Sequence, residues 1–241
     1  MDAPPGWKSD PLTKHFSVAQ ENVWATYVRK KQHHGQLEEI DGLFVSLIAG
    51  LESSPNSASL ILEGMFLLRS HVAFRAGSML TYSTQLPEAF PLFRATLEYA
   101  LYAMHINTNP DAGETWIKRS DSKAARKAAR DEFTHGRVKR SLIAKAPTLG
   151  ANIEALYEQT IDFGGHPNDN AILGAMQTEV RNGKKIWKQE YFAGDGLSLE
   201  YGFKTAARVG VGSLSMFELI YGTRAKLLGL DLRLKALRGA L

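Results

Sequence analysis

Two long stretches, 58–82 and 87–107, are apolar almost all round and are separated by only four residues. A helix with one apolar face can lie at a surface, but a helix that is apolar on every side has to be enclosed. The first stretch carries Leu60, Ile61, Leu62, Met65, Phe66, Leu67, Leu68, Val72, Phe74, Met79 and Leu80. The longest apolar runs, such as Leu43–Leu51, fall well short of the ~20 residues a spanning helix needs, so protein and not lipid is expected to do the enclosing. So short a link turns the two stretches into an antiparallel hairpin at the centre of a helical bundle.

The remaining segments read as further helices. Phe16, Ala19, Val23 and Tyr27 recur at helical steps within 12–34, and Gly35 is expected to end or bend that helix. Leu37, Ile40, Phe44, Leu47, Ile48 and Leu51 line a second helix over 36–51. After a break at 107–113, one basic helix is expected over 120–145, with Ala125, Ala129 and Phe133 inward. Beyond Pro147, the residues Ile153, Leu156, Tyr157 and Ile161 mark a helix that stops at Gly164-Gly165, and Ile172, Leu173, Met176 and Val180 mark another. Over 184–203, Leu197, Leu199, Tyr201 and Phe203 alternate and predict a small β-hairpin turning at 194–196. A rival parse starts the last helix at Ser198. Gly210, Gly212, Ser213 and Ser215 on that last helix predict the close approach of a neighbour. The fold class is therefore all-α: an antiparallel bundle of about seven to eight helices in one domain over 1–241, with 1–11 as a loose arm and 107–150 as a peripheral basic lobe.

The polar residues on the apolar hairpin are the first candidates for a site. Arg94, Glu98, Tyr102 and His105 follow one another at steps of four, four and three and so share a helix face. His71 and Arg75 stand four apart on the preceding helix. Buried ionisable groups need partners, so these six are expected to meet across the hairpin, with Arg75 or His71 on Glu98. They would form either a core network or the lining of a ligand pocket. His166, in a glycine-flanked loop, is the seventh candidate. Glu98 and His105 could also serve metal-dependent hydrolysis. A di-metal carboxylate bundle, however, needs paired Glu-x-x-His segments, and Glu132–His135 stands alone. No metal and no cofactor is predicted.

Composition narrows the classes. The absence of cysteine excludes disulfides, thiolate metal sites and cysteine nucleophiles. No Gly-x-Ser-x-Gly, Walker loop or His-Glu-x-x-His occurs. The net charge of +4 is uneven: residues 118–145 hold ten Lys or Arg against three acids, a local +7. That segment reads either as a solvated helix face or as a surface that could bind nucleic acid through its phosphates. The first residues lack a basic and apolar leader pattern, which predicts a cytoplasmic protein without membrane attachment.

Arg94-x-x-x-Glu98 on an apolar helix, followed by a later helix with Tyr157 ending near His166, resembles bacterial all-α families grouped near the HEPN-like helical domains. The active members of that group are ribonucleases with a short Arg…His motif, and the resemblance implies that motif at Arg130-Asp131-Glu132-Phe133-Thr134-His135, with Arg29–His34 as a second match. The leading expectation is a non-enzymatic module that binds a small ligand or protein partner and forms a homodimer. The alternatives are a HEPN-like, metal-independent ribonuclease using Arg130 and His135, and a metal-dependent hydrolase built on the Glu98–His105 cluster.

Overall fold

The structure is a computed structural model and describes residues 3–52, 58–165 and 176–241. Among these, ten helices and one two-stranded antiparallel sheet are present, so the chain is an all-α bundle with a small hairpin. The helices are α1 (Pro11–Arg29), α2 (Lys31–Glu52), α3 (Ala58–Tyr82), α4 (Leu86–Thr108), α5 (Pro110–Ile117), α6 (Lys123–Glu132), α7 (His135–Lys145), α8 (Pro147–Thr160), α9 (Leu197–Leu227) and α10 (Leu230–Gly239). The strands are β1 (Met176–Arg181) and β2 (Lys184–Gln189). No helix among the described residues is long and apolar enough to cross a membrane.

The α3–α4 hairpin is the centre, as its composition demands. Ser70 Oγ donates to the Thr96 carbonyl at 2.9 Å, and Asn107 Nδ2 donates to Glu63 Oε1 at 3.1 Å, which fixes the antiparallel register. α9 lies across both helices and α2. It runs with α4, since Gly202 meets Leu86 and Gly212 meets Leu97, and against α3, since Gly202 meets Thr81 and Gly210 meets Phe74. The small residues of α9 therefore do allow close approach, but by helices of the same chain. A Cβ on Gly210 would stand 2.6 Å from Ile40 Cγ2 and 2.8 Å from Phe74 Cε2. α7 packs on α4, α8 packs on both α4 and α9, and α10 folds back on α9.

Four expectations are corrected. The first two helices part at Lys30, not Gly35, which lies inside α2. The reason is tertiary: Lys30 leaves helical geometry with φ −110° and ψ 44°, and its ammonium is held by Asp195 at 2.7 Å and Glu200 at 2.6 Å. The basic helix is broken at Phe133, whose ring is buried and whose carbonyl accepts from the Tyr102 hydroxyl at 3.2 Å. The hairpin turns at Asn182-Gly183, where both residues have positive φ (53° and 72°) and match a tight two-residue turn. Gly194–Gly196 instead leads into α9 at Leu197, close to the rival parse. The helix expected to hold Met176 and Val180 is β1 at those positions, with Val180 72% exposed, and its earlier part, Ile172 and Leu173, lies outside the described residues.

Candidate functional site

The polar stripe of α4 faces α6, α7 and α8, not α3, so the expected contacts of Glu98 with His71 or Arg75 are not made. Arg94 Nε donates to Glu98 Oε1 at 2.9 Å, and the Tyr157 hydroxyl of α8 donates to the same oxygen at 2.8 Å. Burial together with this hydrogen bond pushes the Tyr157 phenol up to about 12, so it remains a donor. The Glu98 side chain is 39% exposed, which makes this a partly exposed cluster and not a buried pair. Beside it, His135 stacks on Tyr157 with centroids 3.9 Å apart, and its Nε2 meets Glu154 Oε2 at 3.0 Å. Lys139 reaches the other oxygen of Glu154.

One and two turns further along α4 the chemistry differs. Tyr102 is tied to the Phe133 carbonyl, and buried His105 is held between two elements. Its Nδ1 lies 2.7 Å from Ser141 Oγ of α7, and its Nε2 lies 3.0 Å from Glu132 Oε1 of α6. Arg137 holds the other Glu132 oxygen at 2.5 Å. Ser141 lines a hollow of about 480 Å³ together with Thr108, Asn109, Arg140, Ala144 and Lys145.

His71 and Arg75 form a second cluster with Asp41 of α2. Arg75 grips the carboxylate with both arms, Nε to Oδ1 at 2.7 Å and NH2 to Oδ2 at 2.8 Å, and His71 Nε2 meets Oδ1 at 2.6 Å. The His71 ring stacks on Phe44 at 4.9 Å. Burial pushes His71 below its ordinary 6.5, against the pull of Asp41, so the ring is neutral and donates from Nε2. Burial would raise Asp41, but the Arg75 and His71 hydrogen bonds outweigh it and leave the carboxyl below 3.8. The unfolded chain therefore takes up protons at higher pH than the folded one does at both groups. Their contribution to stability is complete above about pH 6.5 and is lost as pH falls through the lowered folded values. Thermal unfolding followed from neutral pH to about pH 5 is expected to show a falling midpoint, with His71 contributing at most ~1.4 kcal/mol per pH unit. His71→Gln is expected to flatten the profile in that interval; an unchanged slope would show that His71 is not its source.

Arg130 is on the exposed side of α6, and no hydrogen bond or ion pair joins it to His135. His166 lies outside the described residues. Among the described residues no three of His, Asp and Glu are grouped to hold a metal ion, and Glu98 and His105 have separate partners. Half of the basic segment is internally matched: Lys118 with Glu114, Lys127 with Asp131, Arg137 with Glu132, Lys139 with Glu154, and Arg119 over the Trp116 ring at 4.1 Å. Sequence reading missed Asp41, Ser141, Glu132 as the partner of His105, and Glu154. Asp41 interrupts a run of core positions between Ile40 and Leu43, a signal that could have marked it. Ser141 and Glu132 carry no such mark in a polar segment.

The outer side of α3 is the second feature of note. Seven of its described side chains are exposed, and five are large and apolar: Ile61, Met65, Leu68, Val72 and Met79, each 48% to 56% exposed. The other two are Arg69, which lies over the Tyr99 ring, and Arg75. The helix expected to be enclosed on every side is thus open along one strip. Compared with known proteins, the chain matches no family model, no curated protein and no solved structure, so its function is to be read from these residues and their geometry alone.

Proposed function

We propose that the protein is a self-associating helical binding module, a homodimer that docks through the outer strip of α3. The observation that carries this reading is the spacing of Ile61, Met65, Leu68 and Val72 at steps of four, three and four, with Met79 a further heptad on from Val72. Such a strip is the seam by which two helices interlock side chains. Each of the five residues leaves on the order of 100 Å² outside, so the strip amounts to about 500 Å², the size of the largest apolar patches on monomers, which often serve a function. It supplies somewhat more than half of the ~800 Å² that a stable interface takes from each partner. A second copy brings the same apolar chemistry, and the two cations on this side of α3 are already engaged within the protomer, Arg75 by Asp41 and Arg69 over the Tyr99 ring.

Sedimentation equilibrium at micromolar concentration is expected to give twice the protomer mass of 26.6 kDa. Met65→Lys combined with Val72→Lys puts two ammonium groups into each half of the seam and is expected to weaken association roughly a hundredfold or more. Both positions are exposed in the protomer, so the helical circular dichroism should stay unchanged. A wild-type protein that sediments as a monomer throughout would sink the reading.

A further inference from the structure

We propose a second site, independent of self-association, in the hollow between the end of α4 and α7: a serine acyl-transfer centre with Ser141 as nucleophile, His105 as general base and Glu132 as positioning residue. Three groups from three helices converge in the order such chemistry requires. Ser141 Oγ is 2.7 Å from His105 Nδ1, and Glu132 Oε1 is 3.0 Å from Nε2. The network also sets the tautomer. Asn109 Nδ2 faces the His105 carbonyl at 3.1 Å, an atom that only accepts, so the amide nitrogen is correctly placed there. Glu132 Oε1, a carboxylate oxygen that only accepts, lies 3.0 Å from His105 Nε2, which must then donate and leave Nδ1 as the acceptor. Nε2 consequently carries the hydrogen and donates it to Glu132, and the Ser141 hydroxyl donates to Nδ1.

The surroundings suit a reacting carbonyl. Ser141 is half-buried and opens on the hollow of about 480 Å³. Asn109 Nδ2 is also 3.3 Å from Ser141 Oγ and 3.0 Å from Thr108 Oγ1, so its two hydrogens face more acceptors than they can serve. One can turn to a developing oxyanion beside Oγ. Arg140 lines the hollow without an ion pair or hydrogen bond to any described residue, and Lys145 lines it with Asn107 Oδ1 as its partner at 3.2 Å. Two cations at the wall select an ester or thioester of a small acid that carries a further negative group.

In the first step the Ser141 Oγ–H proton passes to His105 Nδ1, Oγ bonds to the carbonyl carbon, and the bond to the leaving oxygen or sulfur breaks as that atom takes the proton from Nδ1. Water then attacks the acyl-serine, its proton passing through Nδ1 back to Ser141 Oγ as the acid departs. His105 keeps its Nε2 hydrogen on Glu132 throughout.

The test uses the full chain and a fluorophosphonate, with the adduct located by peptide mass spectrometry. One phosphonyl group per chain on Ser141 is expected, absent in Ser141→Ala, and slowed about a hundredfold or more in His105→Gln. Glu132→Gln should slow labelling and Glu132→Asp should restore it at unchanged thermal stability, which a merely structural role would not produce. No adduct on the folded wild type, or an adduct on another residue, overturns the proposal whatever the variants do. With p-nitrophenyl esters, Arg140→Gln is expected to raise KM for the hemisuccinate and leave KM for the acetate alone; equal effects on both would overturn the anionic-substrate assignment.

Discussion

Replacing Phe93 by alanine is expected to lower the unfolding free energy by about 3–5 kcal/mol. Phe93 is fully buried on α4, packs edge-on against Phe90 with centroids 6.2 Å apart, and lies directly over Gly77 of α3. A Cβ on Gly77 would come within 2.6 Å of the ring, so the phenyl occupies the space that a side chain on α3 would otherwise fill. With the ring gone, glycine has nothing to move into the hole. The cavity therefore persists, and the cost lies in the upper part of the range for core truncations. Urea denaturation followed by circular dichroism measures it. A loss below about 1.5 kcal/mol would mean that α3 and α4 slide together to close the gap.

Gly210→Leu tests the opposite fault. Gly210 sits where α9 crosses α2 and α3, and Ile40 and Phe74 already occupy the volume of its missing side chain. Both are fully buried and come from different helices, so neither can retreat without displacing a second neighbour. The expected loss is about 3 kcal/mol, the upper end for overpacking. Gly35→Ala is the control. It lies within α2 with nothing within 4 Å of a built Cβ, and it is expected to gain about 0.5–1 kcal/mol from helix propensity. A loss at 210 with a gain at 35 separates close packing from backbone preference; equal signs would refute the distinction.

Where residue patterns were strong, the fold could be read in advance. The two apolar stretches became α3 and α4 within a residue or so of their expected ends, and the small residues of α9 do lie against other helices. Other elements were decided by contacts that no local pattern carries. Lys30 breaks α1 from α2 because acids more than 160 positions further along hold its ammonium. Asn182-Gly183 did carry a local turn signal, but the alternation of Leu197 to Phe203 was the more conspicuous, and those residues belong to the first turns of α9. The site divided in the same way. That Arg94, Glu98, Tyr102 and His105 share a face follows from helical spacing, as does the i,i+4 bond between the first two.

Their partners do not follow from spacing. Periodicity states which residues point the same way around a helix axis, but the rotation of that axis against its neighbours is fixed only when the whole core packs. In this chain that rotation turned the α4 stripe toward α6, α7 and α8, and gave His71 and Arg75 to Asp41. It also left one side of α3 uncovered, although its composition asks for enclosure all round. The sequence by itself determined a central apolar helical hairpin, because apolar surface must leave water. Only the tertiary structure decided which polar groups meet and which apolar strip stays open, because both depend on how helices far apart in the chain are turned against one another.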